Sequence, residues 1–166
     1  MNQPIIPELP SNPDKLQKLV ALKELMLRVK DRDASAFNYS THIRHKKDIS
    51  NDKPIYQDLK CETDIINYCG SPACVAGWSV LLDPTILDDE DTQFDFWLDV
   101  KLRQTDFLEL TDMEADFLFM GNEYFDENGV SIYPDVYKGK GSWFSLAQVS
   151  IDEAIDRLSF LIKMTE

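Results

Sequence analysis

The chain has 166 residues, is 43% hydrophobic and 11% aromatic, and carries a formal net charge of −13. That length suits one domain able to bury its own core, and that aromatic content excludes a disordered chain. No apolar run approaches the roughly 18 residues a membrane span needs, and the acidity argues against direct nucleic-acid binding.

The charge is unevenly spread. Residues 1–60 carry +3, residues 61–137 carry −16 with Lys101 and Arg103 as their only bases, and residues 138–166 are neutral. Such a block repels nucleic acid and attracts basic surfaces, although acidity also serves plain solubility. Cys61, Cys69 and Cys74 make an odd number, and the opening residues lack the charged start and apolar core of a signal peptide. Both features lead us to expect free thiols in a reducing cytoplasm, that of the host cell if the chain is phage-encoded.

Residues 1–11, with Pro4, Pro7 and Pro10, read as an extended arm, and residues 12–166 as a single helical domain. The first helix is expected at Asn12-Pro13, with Asn12 as cap and Pro13 in the first turn. Leu16, Leu19, Val20, Leu22, Lys23, Met26 and Leu27 give its stripe, which fades near Asp31-Arg32-Asp33. Residues 34–60 read as loop-rich and contain the most basic stretch, His42 to Lys47. A second helix is expected over about 71–82, capped by Ser71 before Pro72 and ended by Asp83-Pro84. It is apolar almost all round, so it is expected to be the buried centre of the fold.

Phe94, Trp97, Leu98 and Leu102 are spaced for a third helix, although Phe94-Asp95-Phe96 alternates as a strand would. Thr111 to Glu114 is a capping box for a short helix ending at Gly121, and Ser150 to Glu153 is another for the last helix. The apolar face of that last helix is Ala154, Ile155, Leu158, Leu161 and Ile162. Between the two, Asn128-Gly129 favours a two-residue turn with positive φ at both positions and a β-hairpin over about 123–133. The fold class expected is mainly α, with about five helices around the central apolar one.

Residues 69–78, Cys-Gly-Ser-Pro-Ala-Cys-Val-Ala-Gly-Trp, resemble the Cys-Gly-Ser/Thr-x-x-Cys-x-Ala-Gly-aromatic signature of small uncharacterised proteins from bacteria and bacteriophages. Leu108-Glu109-Leu110-Thr111, Leu118-Phe119 and Glu153-Ala154-Ile155 extend the likeness over roughly residues 60–163. Ser71 replaces the commoner Thr, and residues 83–107 hold a long acidic insert. The resemblance implies kinship of fold and origin rather than an activity. In this reading Cys69, Gly70, Ser71, Cys74, Gly77 and Trp78 form a structural motif.

The same cysteines admit a sharper reading. A thiol at a helix N-terminus is favoured as thiolate, so Cys69 or Cys74 with His42 or His45 as base would suit a cysteine-dependent hydrolase or transferase. A zinc site would need four ligands from Cys61, Cys69, Cys74, His42 and His45 without any close cysteine pair, so no metal is expected, and no cofactor. Asp126 to Gly129 lacks the ligand spacing of a calcium loop.

The acid block is the most distinctive feature. Asp83, Asp88, Asp89, Glu90, Asp91, Asp95 and Asp99 fall within 17 residues, interleaved with Phe94, Phe96 and Trp97. Acids steer encounter with a basic partner and aromatics supply anchoring contacts. Asp88, Asp89, Glu90, Asp91, Asp95, Trp97 and Asp99 are therefore the candidate interaction residues. A solvated surface over an aromatic core helix, or internal pairing with Arg44 to Lys47, are the plainer alternatives. The leading expectation is a non-enzymatic acidic protein-binding module, phage-encoded, that inhibits a basic nucleic-acid-binding host defence protein, with mimicry of DNA as one form of it. The cysteine enzyme and a structural component of a phage particle are the alternatives.

Overall fold

The computed structural model describes residues 6–33, 75–83, 97–133 and 150–166. The first helix, α1, spans Lys15–Asp33. Its cap is Asp14 rather than Asn12: Asp14 Oδ1 accepts from the Gln17 amide at 2.8 Å, and Gln17 Oε1 accepts from the Asp14 amide at 3.0 Å. That reciprocal pair satisfies two backbone donors, which outcompetes a single cap two residues earlier. The buried face is also rotated from the expected one. Lys18, Leu19, Leu22, Leu25, Met26 and Val29 are buried, whereas Val20 and Leu27 are exposed.

The next described helix, α2, spans Val75–Ser79 and tightens into a 3₁₀ turn over Val80–Leu82. Every residue from Val75 to Asp83 is buried. Asp83 turns extended, the conformation that a following proline imposes. The expected start at Ser71-Pro72 lies outside the described residues.

Helix α3 spans Trp97–Phe107, α4 spans Asp112–Phe119 and α5 spans Ile151–Thr165. α1 lies along α5, and α2 touches α1, α3 and α4, so the apolar helix is central as its composition requires. The described fold is mainly α.

Both expected caps are found, but only one is reciprocal. Thr111 Oγ1 accepts from the Glu114 amide at 3.3 Å, and Glu114 Oε2 accepts from the Thr111 amide at 2.7 Å. Ser150 Oγ accepts from the Glu153 amide at 3.2 Å, but the Glu153 carboxylate turns to Arg157 instead. The hairpin reduces to one antiparallel bridge, Phe125 with Ser131. Its turn differs from the expected type. Only Gly129 has positive φ, the Gly129 amide donates to the Asp126 carbonyl, and the Asp126 amide donates to the Val130 carbonyl. Asp126 Oδ1 also accepts from the Asn128 and Val130 amides, which favours this three-residue loop over the mirror-image turn.

The least anticipated core residue is Arg157, which is 1% exposed. Its Nε and one terminal nitrogen donate to Glu153 Oε1 at 3.4 and 3.1 Å. The other terminal nitrogen donates to the Phe117 and Asn122 carbonyls at 2.8 and 2.7 Å, and the first also reaches the Gly121 carbonyl at 3.1 Å. The guanidinium lies 4.7 and 4.8 Å from the ring centres of Phe117 and Tyr133, and Phe160 and Tyr124 complete the aromatic cluster.

Candidate functional site

The acid block meets the described fold at the corner between α3 and α4. α3 closes with two bonds, from the Leu110 amide to the Thr105 carbonyl at 2.9 Å and from the Glu109 amide to the Asp106 carbonyl at 3.1 Å. Glu109 takes a φ of 56° between them. This is the Schellman ending, with glutamate where glycine is usual. Four residues separate the two helices, so Leu102, Asp106, Glu109, Asp112 and Met113 are all exposed along one short stretch of chain. Leu102 and Asp106 share a helix face, being four apart.

Lysines of α1 and α3 neutralise part of this acid. Lys15 Nζ donates to both Glu114 oxygens at 2.8 and 2.7 Å, so one buried carboxylate serves a cap and an ion pair. Lys18 Nζ lies 3.3 Å from Glu109, and Lys101 pairs with Asp116. Asp106, Asp112, Glu123 and Glu127 make no ion pair among the described residues.

Of the residues singled out from the sequence, Trp97 and Asp99 fall in the first turn of α3, with Asp99 three residues before Leu102 and seven before Asp106. Asp88, Asp89, Glu90, Asp91 and Asp95 lie outside the described residues. So do Cys61, Cys69, Gly70, Ser71, Cys74, His42, His45 and the stretch Arg44 to Lys47. Gly77 and Trp78 are buried in α2.

No family model, curated protein or solved structure matches the chain. The reading of its function therefore stands on its own residues. No helix among the described residues is long and apolar enough to cross a membrane. Nor does any group of three or more His, Cys, Asp or Glu among them gather as a metal would require.

A second feature went unread in the sequence. A groove of about 660 Å³ opens between the arm and the core. Ile6, Pro7 and residues 9–14 ahead of α1, Lys18 of α1, Leu81 to Asp83 at the end of the 3₁₀ turn and Phe107 of α3 line it. Of the lining residues, Asp83 ends a buried polar chain. Ser79 Oγ lies 2.8 Å from both the Ala76 carbonyl and Gln104 Oε1, and Gln104 Nε2 donates to Asp83 Oδ2 at 3.5 Å. The signal for Lys18 was present: it stands four residues before Leu22, on the side of the helix that is buried.

Proposed function

We propose that the chain is a non-enzymatic, acidic protein-binding module whose partner is a basic protein. The observation that carries this reading is the set of acids that make no ion pair among the described residues, Asp106, Asp112, Glu123 and Glu127, the first two beside exposed Leu102 and Met113. Unpaired carboxylates steer a cationic partner from a distance, and the apolar side chains give it a place to desolvate. The further acids Asp88, Asp89, Glu90, Asp91, Asp95 and Asp99 and the aromatic Trp97 add to that charge and to its anchors. A nucleic-acid-binding enzyme of a host defence system is the partner class that such a charge suits, and the resemblance of residues 69–78 to small proteins of bacteria and bacteriophages is compatible with a phage origin. In that setting the module acts as an inhibitor by occupying a groove built for DNA.

The test is capture from a bacterial lysate by the natural chain and by two charge-reversed variants. One variant carries Asp106→Lys, Asp112→Lys, Glu123→Lys and Glu127→Lys; the other carries Asp88→Lys, Asp89→Lys, Glu90→Lys and Asp91→Lys. A basic protein held by the natural chain, released as salt rises and lost from either variant is the expected result. Capture that survives both reversals overturns the proposal.

A further inference from the structure

The groove between the arm and the core carries an inference independent of the acidic face. Eight of its thirteen lining residues are apolar, with three prolines on the arm side and Leu81, Leu82 and Phe107 opposite. Prolines have no N–H and a fixed φ, so the arm side offers a stiff wall with few donors. Its volume falls within the roughly 300–1,000 Å³ of sites that hold small molecules.

Among the described residues, Lys18 is the one cation in this lining. It is 8% exposed, yet among the described residues its ammonium makes a single ion pair, at 3.3 Å, with a Glu109 side chain that is itself 56% exposed. Charge-assisted bonds normally close to about 2.7–2.9 Å, so this pair is loose. The ammonium also lies 5.4 Å from the centre of the Phe107 ring. A nearly buried ammonium with three protons is costly to leave so lightly held. It is poised for an anion that enters the groove.

The other charges in the lining narrow the class. Asp14 and Asp83 also face the groove. Asp83 accepts from Gln104 and has a further partner. Two carboxylates near one ammonium penalise each negative charge a ligand brings, so a multiply charged anion such as a phosphate is the more strongly disfavoured. A single negative charge on an apolar body fits one ammonium in a mostly apolar lining.

We propose that this groove binds a small apolar monocarboxylate, with Lys18 holding the carboxylate and the arm lying over the apolar body. The experiment uses the full ¹⁵N-labelled chain and follows amide shifts during titration with decanoate, below its micelle concentration. Decylamine and decanol serve as the cationic and neutral counterparts. Saturable shifts are expected with decanoate at residues 6–14, 81–83 and 107–109, with decylamine and decanol binding at least about tenfold more weakly. Lys18→Gln is expected to weaken decanoate by about tenfold or more. Leu9→Trp, which fills the groove from its half-buried rim, is expected to abolish binding with the melting temperature retained. Absence of saturable shifts in the natural chain overturns the proposal. Equal or tighter binding of decylamine, or decanoate binding unchanged in both variants, overturns it as well.

Discussion

Arg157 uses each of its five N–H groups inside the fold, and it does so on behalf of another helix. The end of α4 leaves carbonyls with no partner in their own helix. The Asn122 amide passes over Phe117 and donates to the Asp116 carbonyl at 3.2 Å, and Arg157 takes the Phe117, Gly121 and Asn122 carbonyls instead. Glu153 supplies the counter-charge from one turn earlier on α5, where it is 2% exposed. Arg157→Met should therefore cost about 3–5 kcal/mol, because it strands a buried carboxylate and removes the donors of three carbonyls. Arg157→Lys should recover little, since an ammonium cannot reproduce a planar fork. Pairing Arg157→Met with Glu153→Leu should restore only the part owed to the stranded charge. Urea unfolding of the three variants measures this, and a cost under about 1 kcal/mol for Arg157→Met would show that the network does not hold α4 to α5.

At the scale of elements, the joint between α3 and α4 stores strain. A non-glycine residue in the left-handed region costs roughly 1–2 kcal/mol, and Glu109 sits there with only a loose, half-exposed pair to Lys18 in return. Glu109→Gly should raise stability by about 0.5–1 kcal/mol once the added freedom of the unfolded chain is counted. A lower melting temperature for this variant would refute the strain assignment. The helices themselves were legible before the structure, because caps and apolar runs are local signals. Thr111 to Glu114, the apolar run ending at Asp83 and the face of α5 all stand as read. Less legible were choices decided by competition. Asp14 displaced Asn12 because Gln17 lies three residues on, and the α1 stripe turned because both Lys18 and Leu25 are drawn in by tertiary contacts. The burial of Arg157 was beyond local reading. Its spacing from Glu153 predicts a surface pair, and only the α4 carbonyls forty residues away bring it inside. For the same reason the groove was invisible, as its walls come from three separate parts of the chain.

Across the whole molecule, the segregation of charge along the chain is partly undone in space. α1 belongs to the basic first third, and its Lys15 and Lys18 reach Glu114 and Glu109 in the acid block, while Lys30 pairs with Asp152 of α5. Two of these regions respond to alkali. The hydrogen bond and the charge of Asp152 raise the Lys30 ammonium above its usual value of 10.5. Burial, and then the charge of Glu114, raise the Tyr124 phenol above its usual 10.0. In both cases the unfolded chain gives up its proton at a lower pH than the folded one does. Between the two values the folded state retains a proton that the unfolded state has lost, so rising pH favours unfolding. Both contributions are complete at neutral pH and are lost as pH climbs from about 10 through the raised values. The melting temperature should accordingly hold steady from pH 7 to roughly 9.5 and fall beyond it. Tyr124→Phe isolates the phenol, because it keeps the ring that meets Phe117 edge-on at 5.4 Å and removes only the titrating group. The variant should lose less stability than the natural chain between pH 10 and 11, whereas parallel curves would mean that the phenol's surroundings do not set its ionisation.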